Sequence, residues 1–191
     1  LQRSSADIDF ARVVLFSHGL DADTLTPDVE LVDIGPIGSG AEYSHFVLRR
    51  LPEHVRTPFV LVTQWDGFVV DPAQWCDEFL EFDYLGAPWH DQPEALCVGN
   101  GGFSLRSQRL LEAGRDPRVT PEHPEDQALC RDHRRMLERD HGVRFAPPEL
   151  ARRFAFENLR PAAPTFGFHG PYHLPRFVDE TTLAGWLDAL P

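Results

Sequence analysis

Apolar and polar positions along this chain change over in short runs, and the runs are of two kinds. Stretches rich in β-branched and aromatic residues, closed by Gly, Pro, Asp or Asn, predict strands at 12–17, 30–34 and 59–63. Shorter ones are expected at 95–98, 103–106, 144–146 and 154–156, with an extended segment at 84–89. Helical spacing appears in Tyr43, Phe46, Val47 and Leu51, with Pro52 expected to end that run. Asp71-Pro72 reads as an N-cap followed by a first-turn proline, and Trp75, Cys76, Phe79 and Leu80 as the buried stripe of the helix it opens. Ser107 caps a helix carrying Leu110 and Leu111, and Pro124 opens one with Leu129, His133, Met136 and Leu137 inside. Leu183, Trp186, Leu187 and Leu190 predict a last amphipathic helix. Strands alternating with helices predict an α/β fold with a mostly parallel central sheet and flanking helices. No repeat or linker divides residues 1–191, so one domain is expected.

Composition narrows the partners. The 191 residues hold 18 Lys+Arg against 30 Asp+Glu, a net charge of −12 that repels phosphate backbones and argues against nucleic acid. The pairs Arg49-Arg50, Arg134-Arg135 and Arg152-Arg153 read as solvated helix faces. Three cysteines, Cys76, Cys97 and Cys130, show no Cys-x-x-Cys spacing, which fits a reducing, cytoplasmic setting without a disulfide framework or structural zinc. The nine histidines form no His-Glu-x-x-His pair. No apolar run reaches the roughly 20 residues of a transmembrane helix. Leu1 at the start suggests a piece of a longer chain, with a first strand missing and room for fused domains. Gly35-Pro36-Ile37-Gly38-Ser39-Gly40 lacks a dinucleotide fingerprint and is expected to be a loop.

Four places carry candidate chemistry. The apolar strand at 59–63 runs into Gln64-Trp65-Asp66-Gly67, delivering one carboxylate to a strand end. Asp66 there is either a turn acid held by backbone amides or a hard oxygen ligand for Mg²⁺ or Mn²⁺. The Gln64 amide would then bond ribose or phosphate, and Gly67 would let a ligand approach closely. Gly99-Asn100-Gly101-Gly102 puts three glycines in four residues, which suits either a tight hairpin or a sugar packed on bare backbone. Glu125-Asp126 follows Pro124, where the helix dipole favours acids in any case. Its functional reading makes Asp126 a general base and Glu125 the residue that orients the acceptor. His169, between glycines in Phe166-Gly167-Phe168-His169-Gly170, is expected to be exposed and mobile, with a nitrogen available to a metal.

Taken in order, Gln-Trp-Asp-Gly-Phe, Tyr-Leu-Gly-Ala-Pro-Trp, Gly-Asn-Gly-Gly-Phe-Ser-Leu-Arg, Pro-Glu-Asp and Phe-Gly-Phe-His-Gly resemble an uncharacterised domain family classed among GT-A-type glycosyltransferases. The resemblance covers about residues 10–172. More distantly, the order is similar to inverting GT-A enzymes such as galactosyltransferases and Fringe-like enzymes. That likeness implies a metal bound by Asp66 and His169, and Asp126 as catalytic base beside Glu125. It implies that Gly101 and Gly102 line the donor sugar and acceptor, and Gln64, Trp65, Gly67 and Asn100 are expected to join that lining. Gln64 departs from the pattern, because the first acid of an Asp-x-Asp motif is expected there. The implied activity is transfer of a sugar from a nucleoside-diphosphate sugar to a glycan or other hydroxyl acceptor, with inversion and a divalent cation. The rival readings are a non-catalytic carbohydrate- or nucleotide-binding module and a metal-dependent hydrolase.

Overall fold

A computed structural model describes residues 1–188. Among these residues the strands form three small sheets instead of one. Strands β1 (Val13–Ser17) and β2 (Val29–Asp33) pair in parallel. Strands β3 (Phe59–Thr63), β5 (Tyr84–Gly86) and β6 (Phe103–Ser107) make an antiparallel sheet in the order β3-β6-β5. The third sheet runs β4-β8-β7, from β4 (Gly67–Val69), β8 (Gly167–His169) and β7 (Ala155–Phe156). In it β4 is antiparallel to β8, and β7 is parallel to β8.

The expected GT-A-like, mostly parallel central sheet is therefore incorrect. Apolar runs locate strands but do not orient them. Parallel neighbours need a long crossover, usually a helix. Between β3 and β5 the chain offers only β4 and two 3-10 turns, Pro72–Gln74 and Asp77–Glu81.

Those two turns replace the single helix expected after Asp71. Asp71 does cap, accepting the Ala73 N–H at 3.1 Å. Trp75 then leaves helical geometry with ψ 139°. Its ring packs edge-on against Phe79 at 5.4 Å and Phe166 at 5.3 Å. Of the expected stripe only Phe79 is fully buried; Trp75 is 37% exposed and Leu80 42%.

Pro52 also acts differently from the expectation. The helical run continues from Gly40–His45 through a π turn at Phe46–Arg50 into Leu51–His54. Proline has no N–H and its ring crowds the carbonyl four residues back. Widening the preceding turn, with Leu51 N–H donating to Phe46 O, relieves that crowding and lets the run pass Pro52. Two expected strands shrink as well. Residues 94–96 form a 3-10 turn with only Val98 bridged to Pro88, and Phe145 makes a lone bridge to Tyr84. The last helix is present as Glu180–Asp188, where Leu183 and Trp186 pack on Phe68, Phe168 and Leu174. Leu190, expected on that helix, lies outside the described residues. No helix among them is long and apolar enough to cross a membrane.

Strand β6 is buried along its whole length and is the centre of its sheet. Side chains alternate across a strand. Phe103 and Leu105 enter an aromatic core with Phe79, Phe154 and Phe166. Ser104 and Arg106 go to the other face, where the Gly-rich segment lies.

Candidate active site

Two strand registers assemble the site. Thr63 pairs with Phe103, and the next residue, Gln64, donates its N–H to Gly102 O at 2.8 Å. Gln64-Trp65-Asp66 then closes as a turn, with Gly67 N–H donating to Gln64 O at 3.2 Å. In the following strand Gly67 pairs with His169. Gln64, Gly102 and His169 thus come together from three distant stretches of chain. Asn100, in the left-handed region at φ 64°, turns the chain from the Trp89 side into β6. Asn tolerates that conformation better than most residues with a Cβ.

A cleft of about 440 Å³ opens over this junction. Gln64, Asn100, Gly101, Gly102 and His169 line it on one side, Glu125 and Asp126 on another. Trp65, Asp66 and Gly67 do not line it. Trp65 turns to solvent at 46% exposure, while Asp66 is 7% exposed behind the His169 ring. Gly67 is needed for another reason, since a Cβ there would meet Phe168 O at 2.7 Å.

His169 is neither loose nor free, contrary to expectation. It ends strand β8 with a side chain only 15% exposed, between two carboxylates. Nε2 lies 3.2 Å from Gln64 Oε1 and 3.2 Å from Asp66 Oδ1. Its hydrogen is aligned on Gln64, and Asp66 Oδ1 is left buried with no hydrogen-bond partner among the described residues. On the other edge, Nδ1 faces Glu157 Oε1 at 3.2 Å and Asn100 Nδ2 at 3.1 Å. Burial alone would lower its pKa, but the adjoining Asp66 and Glu157 carboxylates raise it to about 9.

The Gly-rich segment rests on a buried ion pair. Arg106 Nη2 donates to Glu125 Oε1 at 2.8 Å, with the two side chains 0% and 3% exposed. The same Nη2 reaches Gly101 O at 3.2 Å, and Nε donates to Ser104 Oγ at 2.9 Å. Glu125, expected to orient an acceptor, is instead turned inward onto Arg106. Asp126 faces the cleft. Its Oδ2 accepts the Gly101 N–H at 2.8 Å and Oδ1 accepts the Gln127 N–H at 2.8 Å. Burial, and then the neighbouring Glu125 charge, raise its pKa above the ordinary carboxylate value, against the pull of those backbone bonds and Arg106.

Arg106, Tyr43, His123 and Glu157 were not expected here. One signal was available: Arg106 is a charged residue at the end of an apolar strand, and buried Arg is rare unless paired. Tyr43 sits on the helical run Gly40–His54, and its hydroxyl accepts from Gln64 Nε2 at 2.8 Å. The segment at 35–40 is a loop as expected, yet Ile37, Ser39 and Gly40 form the cleft rim.

Gly102 is the tightest point of this arrangement. A Cβ there would lie 2.0 Å from His169 Nε2 and 2.4 Å from Cδ2. Gly102→Ala is therefore expected to push the imidazole off Asp66 and Gln64 and to cost about 1–3 kcal/mol by overcrowding. Urea unfolding measures the cost. An unshifted His169 ring resonance in the variant would contradict the placement.

No curated protein matches the chain. The family model described as "Protein of unknown function (DUF5672)" matches residues 28–169, a span that takes in the whole cleft, and the chain belongs to that family.

Proposed function

We propose that this protein is a glycosyltransferase that moves a sugar, with inversion, from a nucleoside-diphosphate sugar to an acceptor hydroxyl. One observation carries the reading. Asp126, half-buried and held by the Gly101 N–H, shares a single cleft with bare backbone at Gly101 and Gly102 and with the Gln64–His169 pair. A carboxylate with a raised pKa is suited to accept a proton at neutral pH. Asp126 takes the proton of the acceptor hydroxyl as its oxygen bonds to the anomeric carbon. The bond from that carbon to the diphosphate oxygen breaks, and its electron pair leaves with the diphosphate. The sugar lies against the Gly101–Gly102 backbone where it lines the cleft, and the Gln64 amide supplies a polar contact to the donor.

Asp66 Oδ1 and His169 Nε2 suit a shared divalent cation. They are 3.2 Å apart, and Asp66 Oδ1 is a buried oxygen without a partner. With Glu157 accepting a hydrogen bond from Nδ1–H, Nε2 is the ligating atom, and the ion has to displace the Nε2 proton that the two carboxylates favour. No group of three or more His, Cys, Asp or Glu among the described residues is arranged around a metal position. Mg²⁺ and Mn²⁺ are commonly held by one or two carboxylates completed by substrate phosphates and water. Such an ion, when bound, supplies charge that stabilises a departing diphosphate.

Buried Cys97 and Cys130, with Cys76 also unpaired, agree with a reducing, cytoplasmic setting. The charge of −12 speaks against nucleic acid as a partner. A non-catalytic nucleotide- or carbohydrate-binding module is the second reading, favoured by His169 having both ring nitrogens engaged by protein groups.

Calorimetry with a panel of nucleoside diphosphates, with and without Mn²⁺, tests the proposal. One of them is expected to bind in a Mn²⁺-dependent way, and Asp66→Ala to weaken that binding about 10- to 100-fold. A folded protein that binds none of them ends the transferase reading. Binding without transfer to any acceptor leaves the module.

A further inference from the structure

The Gly101 peptide is gripped from both ends. Its N–H goes to Asp126 Oδ2 at 2.8 Å, and its carbonyl accepts from Arg106 Nη2 at 3.2 Å. Arg106 is bound in turn to Glu125, the residue next to Asp126 in sequence. The ring Asp126–Gly101–Arg106–Glu125 is thus closed through the backbone. It is also tight: a Cβ on Gly101 would lie 2.5 Å from Glu125 Oε1 and 2.9 Å from Arg106 Nη2. Ser104 Oγ adds a further bond to Gly101 O at 3.1 Å while accepting from Arg106 Nε. A charge pair this deep costs desolvation that its mutual attraction repays only with good geometry. A packed apolar pair would fill the same space, so stability alone does not account for it.

We propose that Arg106 and Glu125 are positioning residues for Asp126, fixing its carboxylate through the Gly101 peptide and setting its proton affinity by their opposed charges. The proposal deepens the transferase reading in its kinetic part and rests on it there; its titration part does not. Tyr84 from β5 and Cys130 from the π turn Ala128–Asp132 are buried, and burial first of all raises both pKa values, so both stay neutral. Tyr43 of the 40–54 helical run is raised for the same first reason. Arg131 lies at the surface, where solvent screens it, and His123 and His169 share the cleft. Among these, Glu125 and Arg106 are the buried charges that bear on the Asp126 carboxyl. Glu125 raises the Asp126 pKa and Arg106 lowers it.

The test is a ¹³C-carboxyl NMR titration of Asp126, assigned by its loss in Asp126→Asn, in the wild type, Glu125→Gln and Arg106→Gln/Glu125→Gln. Glutamine at 125 keeps the shape and an oxygen for Arg106. Glu125→Gln is expected to lower the Asp126 pKa by about one unit or more, because the like charge goes and the cation stays. The double variant is expected to bring it back up. A loosened site would not produce shifts of opposite sign. An Asp126 titration that stays at the wild-type position in Glu125→Gln overturns the proposal, and this single variant decides if the double one does not fold. The acid limb of kcat/KM is then expected to move with the NMR value. An acid limb that stays put while the NMR value moves leaves the coupling intact and removes Asp126 from the role of base.

Discussion

Asp126→Asn is expected to lower turnover about 10²–10⁴-fold while leaving nucleoside-diphosphate binding intact. Asparagine is isosteric with aspartate, but its one oxygen can accept only one of the Gly101 and Gln127 N–H groups, so unchanged nucleoside-diphosphate binding is the check that the cleft keeps its shape. What it loses is the capacity to take a proton. Because burial and then Glu125 raise the Asp126 pKa, the wild-type kcat/KM should fall with decreasing pH at a higher pH than an ordinary carboxylate near 3.9 would give. The sign follows from the role: the base must be ionised, so activity is present above its pKa and lost on acidification through it. Steady-state kinetics from pH 4 to 9, paired with calorimetry of the variant, check both parts. Wild-type turnover in Asp126→Asn would sink the assignment.

The second large effect is on stability. Arg106→Met should destabilise the fold by about 3–5 kcal/mol, because it strands Glu125 as an unpaired buried charge. Arg106→Met/Glu125→Met should recover most of that loss, since methionine fills both volumes and no charge remains to be desolvated. Equilibrium urea unfolding of the three proteins at pH 7 measures this. Similar destabilisation in the single and double variants would show that lost packing, and not the orphaned carboxylate, sets the cost. The stable double variant would still be a poor transferase, because nothing then holds Gly101 O except Ser104.

Much of the cleft was legible before any coordinates. Gln64, Asn100, Gly101, Gly102, Asp126 and His169 were picked out by residue type at turns and element ends, and they share one wall or another of the cleft. What misled was reading each residue's exposure from its neighbours in sequence. His169 sits among glycines but is half-enclosed, because β4 and β7 flank β8 and bring Asp66 and Glu157 against its two ring edges. Glu125 and Asp126 look equivalent in the sequence. Burial separates them, one onto Arg106 and one onto the cleft. Trp65 was grouped with the site by adjacency alone, and the turn at 64–66 points it away.

The sequence by itself determined where strands β1, β2, β3 and β6 lie, which residues cap the turns and helices, and which polar residues interrupt the apolar pattern. These follow from local causes: side-chain alternation, missing N–H groups, and side chains that bond their own backbone. Only the tertiary structure decided the antiparallel order β3-β6-β5, the burial of Arg106, and the meeting of Gln64 with His169. Those depend on contacts between residues far apart in the chain, such as 64 with 169 and 106 with 125. Strand direction and charge burial are set by which distant surfaces pack together, and no local periodicity encodes that choice.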